Sequence, residues 1–93
     1  MSTKKENDDL IIQNGVLLRC SNKKKTMVAI PEGVTEIGEW GFSDCSSLTS
    51  VIIPDSVEII EAEAFAYCTS LSSVEIPNRV KKIGNRAFYQ CPI

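Results

Sequence analysis

The chain has 93 residues, a formal net charge of -2 and no histidine. Its length restricts it to a single domain with a small core. The charge balance predicts no nucleic-acid partner, because the lysine run at residues 23–25 does not by itself create a basic face and is typical of a solvated turn.

The first nine residues, MSTKKENDD, are polar and charged and predict a flexible tail. No apolar segment follows them that could serve as a secretory signal or a membrane span. We therefore expect no membrane insertion. The sequence as written predicts a cytoplasmic chain that stays where it is made, or a piece cut from something longer.

A β-hairpin is predicted directly after the tail. Asn14 and Gly15 lie between two apolar runs, residues 10–12 and 16–18, and Asn-Gly between apolar runs is the strongest short hairpin signal because both residues tolerate positive φ. We expect this hairpin, within residues 10–25, to cover the otherwise open end of a stack of repeats.

The rest of the chain is a repeat with a period of 23 residues. Cys45–Tyr67 and Cys68–Gln90 share eleven identical positions. The residues that recur at this period are Phe42, Phe65 and Phe88, Pro31, Pro54 and Pro77, and Cys45, Cys68 and Cys91. A fixed period in this range indicates a solenoid, in which each unit is stable only when its neighbours cover it. We assign residues 26–93 to the repeats and residues 10–93 to one domain.

The first part of each unit predicts a short strand. Val51 and Ile53 share one face by the alternation of a strand, and Ile52 points the other way. Pro54 cannot donate to a ladder and ends the strand.

A second extended segment and one helical turn are predicted to complete the unit. Val57 and Ile60 return to the core from the extended segment. Ala64, Phe65 and Cys68 follow at i, i+1 and i+4, which fits a single helical turn with Phe65 and Cys68 inward.

The strings CSSLTSVIIPDSVEIIEAEAF and CTSLSSVEIPNRVKKIGNRAF resemble the BspA-like leucine-rich repeat, and the lead-in IIQNGVLL resembles the hairpin that commonly precedes such arrays. The resemblance covers residues 11–93. It implies a right-handed solenoid with stacked parallel strands, in proteins often secreted or displayed on bacterial or protist surfaces, where they bind host proteins or other cells. The family has no shared catalytic residues, so the resemblance transfers none.

The positions of the cysteines indicate a role in core packing rather than in metal binding or catalysis. Cys45, Cys68 and Cys91 recur within an apolar pattern and are expected to be buried, reduced thiols. The chain has no C-x-x-C pair and no histidine, so no metal site and no cofactor are predicted. Cys20 is off the period and is expected to be exposed, which makes it the first candidate for a reactive thiol, although an inert thiol is favoured.

No enzyme is predicted. Catalysis requires a nucleophile, a base or a metal ion that neighbouring side chains hold in place. Histidine is the most frequent general base, and this chain contains none. Glu61 and Glu63 fall at variable positions of the repeat, so a solvated face is favoured over an acid–base pair.

Three apolar side chains are predicted to be at least partly exposed, because a sister repeat has a charged residue at the same position. They are Trp40, Ile52 and Ile59, and exposed anchors of this kind serve as hot spots in protein interfaces. The alternatives are that Trp40 packs against the hairpin and that isolated surface isoleucines carry no function.

The solvent side of the predicted strands is the second candidate surface. It comprises Met27, Ala29, Thr49, Ser50, Ile52, Ser72, Ser73 and Glu75. Repeat proteins tend to bind on such a continuous surface, although three strands span only about 10 Å in the stacking direction.

The sequence therefore predicts a non-catalytic module that binds a protein partner through the strand face or Trp40. The alternative is a structural or self-associating scaffold segment, possibly a fragment of a longer surface-displayed array. In that case the open C-terminal end, where the last repeat leaves its apolar side uncovered, would mediate self-association. A redox-sensing role for Cys20 is a third hypothesis.

Overall fold

The structure is a computed structural model that describes residues 9–93. All but the last residue of the predicted tail therefore lies outside the described residues. Within these residues the chain forms eight short strands: β1 (Leu10–Gln13), β2 (Val16–Cys20), β3 (Met27–Ala29), β4 (Glu36–Ile37), β5 (Ser50–Ile52), β6 (Ile59–Ile60), β7 (Ser73–Val74) and β8 (Lys82–Ile83).

The strands form two sheets that share the coils of a solenoid. One sheet has the order β3-β5-β7, and the other has the order β1-β2-β4-β6-β8. Each coil contributes one strand to each sheet, and every parallel pair within the repeats joins residues 23 positions apart, such as Val28 with Val51 and Ile37 with Ile60. One repeat is therefore one turn of the solenoid.

The alternation predicted for the first strand is confirmed. Val51 and Ile53 are buried, whereas Ile52 is exposed. The second extended segment is also present, with Val57 and Ile60 fully buried. These strands have only two or three residues, so their stability depends on the neighbouring coils rather than on the strand itself.

The N-terminal strands β1 and β2 pair antiparallel around Asn14 and Gly15, which both have positive φ, at 52° and 79°. β2 also pairs parallel with β4 and buries Leu17 completely. The hairpin strand β2 thus takes the place of a coil in the five-stranded sheet and covers its first repeat.

The prediction of a helical turn around Phe65 is wrong. The segment consists of consecutive turns, and no helix occurs between residues 9 and 93, so none there is long and apolar enough to cross a membrane. The backbone N–H groups of Phe42 and Phe65 donate to the carbonyl oxygens of Ala64 and Ala87 in the next coil, each at 2.7 Å. Hydrogen bonding between coils leaves these groups unavailable for the i to i-4 bonds of a helix.

Two residues of left-handed conformation in each coil accompany this arrangement. The residues with positive φ in the three coils are Trp40, Asp44, Glu63, Tyr67, Arg86 and Gln90. Since an α-helix requires negative φ at successive residues, these positions interrupt any helical turn and aim alternate N–H groups at the neighbouring coil.

A column of phenylalanine rings fills the core beside these turns. The ring of Phe65 lies between those of Phe42 and Phe88, with centroid distances of 5.0 and 5.1 Å and nearly parallel planes. Phe42 and Phe65 are fully buried, whereas Phe88 is half-buried.

Replacement of Phe65 by alanine is expected to lower the free energy of unfolding by about 3 to 5 kcal/mol, because it removes a ring packed on both faces and leaves a cavity. Phe88→Ala is the matched control and should cost clearly less, since its ring has a stacked neighbour on one face only. Urea denaturation followed by circular dichroism measures both losses. Equal losses would contradict the central position of Phe65 in the column.

Candidate functional site

The outer face of the sheet β3-β5-β7 presents two rows of side chains. Met27, Ser50 and Ser73 are paired in register in one row, and Ala29 and Ile52 are paired in the next. Inward-facing residues alternate with them, so the rows cannot turn into the core without a change of register. We call these five residues, together with Glu75 at the position 23 residues after Ile52, the sheet face.

Large apolar side chains stand out on the sheet face. Met27 and Ile52 are each 64% exposed, more than any other large hydrophobic residue in the described part of the chain. A depression with a volume of about 280 Å³ lies beside Ile52. Its lining residues are Ser50, Val51, Ile52, Ile53, Ser73, Val74 and Glu75. Four candidate residues, Ser50, Ile52, Ser73 and Glu75, thus share one concave surface.

Hydroxyl groups border the sheet face where the strands begin. The Thr49 hydroxyl donates to the carbonyl oxygen of Thr26 at 3.0 Å, beside the backbone bond from Thr49 N–H to the same oxygen at 2.7 Å. Ser72 N–H donates in turn to the carbonyl oxygen of Thr49 at 3.1 Å. Thr49 and Ser72 are exposed, so this border is polar and held in place by the ladder.

The other two apolar candidates lie on other sides of the coil. Ile59 is half-buried on β6, where its register neighbours are Glu36 and Lys82. Trp40 lies in the turn segment after β4, has φ of 67° and is 54% exposed. The structure therefore does not unite Trp40, Ile52 and Ile59 in one surface.

Two tyrosines that the repeat pattern did not single out lie near the third coil. Tyr67 and Tyr89 meet edge to face with ring centroids 5.5 Å apart, and the guanidinium carbon of Arg86 lies 4.9 Å from the centroid of Tyr89. Tyr67 and Arg86 are exposed, and Tyr89 is 37% exposed. The tyrosines are 22 residues apart, so alignment at the 23-residue period separates them. Both tyrosines follow the recurring Ala-Phe pair within two residues, and this was the available signal.

The profile of the "BspA type Leucine rich repeat region (6 copies)" matches residues 9–93. The chain belongs to this leucine-rich repeat family. No curated protein sequence matches it significantly.

Solved structures of bacterial leucine-rich repeat proteins share the fold. A leucine-rich repeat protein from T. pallidum is 32% identical with a TM-score of 0.75, and 81% of this chain aligns with 37% of that one. A leucine-rich repeat protein from Bacteroides ovatus ATCC 8483 is 37% identical with a TM-score of 0.74, over 82% of this chain and 21% of that one.

A leucine-rich cell surface protein from Faecalibacterium prausnitzii A2-165 is 34% identical with a TM-score of 0.76, over 82% of this chain and 20% of that one. The leucine-rich repeat chain thus matches between 20% and 37% of the length of these three proteins.

A pair of carboxyl groups lies on neighbouring coils of this leucine-rich repeat domain. Glu36 and Glu61 are half-buried, and the side-chain hydrogen bond with Glu61, with smaller contributions from burial and charge repulsion, raises the pKa of Glu36. Glu61 was expected on a solvated face beside Glu63. Instead Glu61 is half-buried and forms a side-chain hydrogen bond with Glu36 on the neighbouring coil.

The thiols of Cys68 and Cys91 form hydrogen bonds between neighbouring coils. The Cys68 thiol donates to the carbonyl oxygen of Phe42 at 3.0 Å, and the Cys91 thiol donates to that of Phe65 at 3.1 Å. The neighbouring Cys45 thiol, together with burial, raises the pKa of Cys68, and burial raises the pKa of Cys91. These thiols therefore serve as donors to carbonyl groups, and all four cysteines are free.

The expectation that Cys20 is exposed is wrong. Cys20 is 1% exposed and ends β2 opposite Leu10, on the inward side of the strand that replaces a coil. Burial raises the pKa of its thiol, so the redox hypothesis loses its basis. No group of side chains suited to hold a metal ion occurs among residues 9–93.

A mild thiol probe such as a neutral aromatic disulfide is expected to react with one thiol of the folded chain, that of Cys91, because only this cysteine is half-buried rather than buried. The other three thiols should react only after denaturation. The control is Cys91→Ser, which should abolish the fast reaction. Rapid modification that persists in this variant would contradict the buried position of Cys20, Cys45 or Cys68.

Proposed function

We propose that this chain is a non-catalytic protein-interaction module that docks a partner on the sheet face. Leucine-rich repeat proteins generally serve in protein interaction or as scaffolds, and they are generally not enzymes. The observation that carries the proposal is the exposure of Met27 and Ile52 on a rigid sheet.

The position of Ile52 in the ladder supports a binding role. Its strand β5 is paired on both sides, with β3 and with β7, so its backbone is fixed before any partner arrives. A preorganised apolar side chain loses little conformational entropy on binding, and clustered apolar anchors are what interfaces use as hot spots.

The size of the sheet face sets the strength of such a contact. Three parallel strands span about 10 Å, whereas a standard interface buries about 800 Å² on each partner. A partner that meets only this face would bind weakly. Trp40, which is exposed on another side of the coil, is the second candidate anchor for a larger partner.

Selection of a displayed peptide library on the wild-type chain is expected to enrich peptides whose binding is lost in Ile52→Glu, because a charge replaces the apolar anchor. The matched control is Leu18→Glu, which introduces the same charge at an exposed apolar residue of the five-stranded sheet. Trp40→Ala tests the second anchor in the same format. Equal binding of the enriched peptides to wild type and Ile52→Glu would contradict a role of the sheet face.

A second candidate function is end-on association, which the third coil favours. Ile83 is 50% exposed, although Ile37 and Ile60 at the same repeat position are fully buried. Ile76 is likewise exposed where Ile30 and Ile53 are buried. A further repeat, in a longer array or in a second copy of the chain, would cover these side chains.

Sedimentation velocity at rising concentration is expected to show self-association of the 93-residue chain, driven by burial of the uncovered isoleucines. Ile83→Asp should remain monomeric. The control Ile11→Asp, at an exposed isoleucine of β1, should behave like wild type. A wild-type chain that stays strictly monomeric at high concentration would count against this second function.

A further inference from the structure

Three exposed carboxylates follow the strands of the sheet face in the sequence. Glu32 and Asp55 directly follow the prolines that end the first two strands, and Glu75 follows β7. All three are exposed. We call Glu32, Asp55 and Glu75 the acidic rim.

The structure holds the acidic rim in place. The Ser56 hydroxyl accepts a hydrogen bond from Gly33 N–H at 3.2 Å and donates to the carbonyl oxygen of Val34 at 2.8 Å. These bonds tie the turn that contains Glu32 to the turn that contains Asp55, so the two carboxylates belong to stacked turns of adjacent coils.

The described chain does not neutralise this rim by an ion pair. The two ion pairs among residues 9–93 join Lys25 with Asp9 and Lys81 with Glu58, so neither includes a carboxylate of the acidic rim. Arg79 lies in the corresponding turn of the third coil but forms neither ion pair. The carboxylates of the acidic rim thus form no ion pair, and one of them, Glu75, lines the same depression as Ile52.

We infer that the partner segment docked on the sheet face is an extended peptide in which a large apolar residue is flanked by lysine or arginine. This inference rests on the proposed function and names the chemistry of its partner. The apolar residue packs on Ile52 and Met27, and the cations reach Glu75 and the rest of the acidic rim.

The spacing of the two features suits an extended chain. Ile52 and Glu75 occupy the same repeat position on adjacent coils, about 4.8 Å apart by the strand spacing. Side chains at i and i+2 of an extended peptide lie on one face, about 7 Å apart. A lysine two residues from the apolar anchor can thus reach the Glu75 carboxylate while the anchor covers Ile52.

The test uses synthetic nine-residue peptides with blocked ends, titrated into the full chain. The probe has a central leucine, lysine two residues to each side, and serine and threonine elsewhere. We expect measurable binding of this peptide, and affinity at least about tenfold lower when both lysines are replaced by glutamate or the leucine by serine.

Variants of the chain test the acidic rim directly. Glu75→Gln is expected to weaken binding of the probe about two- to fivefold, as for one exposed ion pair. The triple variant Glu32→Gln, Asp55→Asn, Glu75→Gln should weaken it more than about tenfold and remove most of its salt dependence. Glu39→Gln, which makes the same change in the turn after β4, is the control and should leave the affinity unchanged.

Two further results separate this inference from the proposed function. If the triple variant binds the probe as tightly as wild type, or the glutamate peptide binds equally well, the basic partner is wrong. The proposed function survives that result when library-selected neutral peptides still depend on Ile52. Absence of any peptide that distinguishes wild type from Ile52→Glu overturns both.

Discussion

Hydrogen bonding from each coil to the next is the constraint on which the rest of the structure depends. The repeat strands have only two or three residues, too few to persist alone. Their N–H and carbonyl groups are satisfied by the neighbouring coil, as are the N–H groups of Phe42 and Phe65 in the turns. Because hydrogen-bonded strands of neighbouring coils are 23 residues apart in both sheets, the core residues stack in columns. The phenylalanine column is the clearest of these.

The same constraint arranges the outer surface. A residue on one coil has its repeat equivalents directly above and below it, so differences between repeats become patterns across the sheet. One repeat position, for example, has two apolar residues and then an acidic one in successive coils: Ala29, Ile52 and Glu75. A binding surface can therefore evolve by changing single outward residues while the inward columns keep the fold. This separation of roles underlies both the docking surface and the basic partner that we propose.

The repeat period predicted the burial of Val51, Ile53, Val57 and Ile60, because inward positions follow the strand alternation. Prediction from the repeat pattern failed where contacts between coils override the conformational preference of a short segment. The spacing of Ala64, Phe65 and Cys68 suits a helical turn, yet hydrogen bonds to the next coil replace helical ones. Cys20 looked exposed because it is off the period, but β2 substitutes for a coil and turns it inward. The candidate residues Trp40, Ile52 and Ile59 remain predictions as binding residues.

The sequence by itself determined the repeat length, the family and the alternation of inward and outward residues, since these follow from spacing along the chain. Only the tertiary structure decided that the coil closes through turns rather than a helix and that the tyrosines meet beside Arg86. It also separated the three apolar candidates onto different sides of the coil and placed Glu75 with Ile52 in one depression. The physical reason is that these features depend on which backbone groups of neighbouring coils form hydrogen bonds. The spacing of residues along the sequence does not specify the path that the chain takes from one such group to the next.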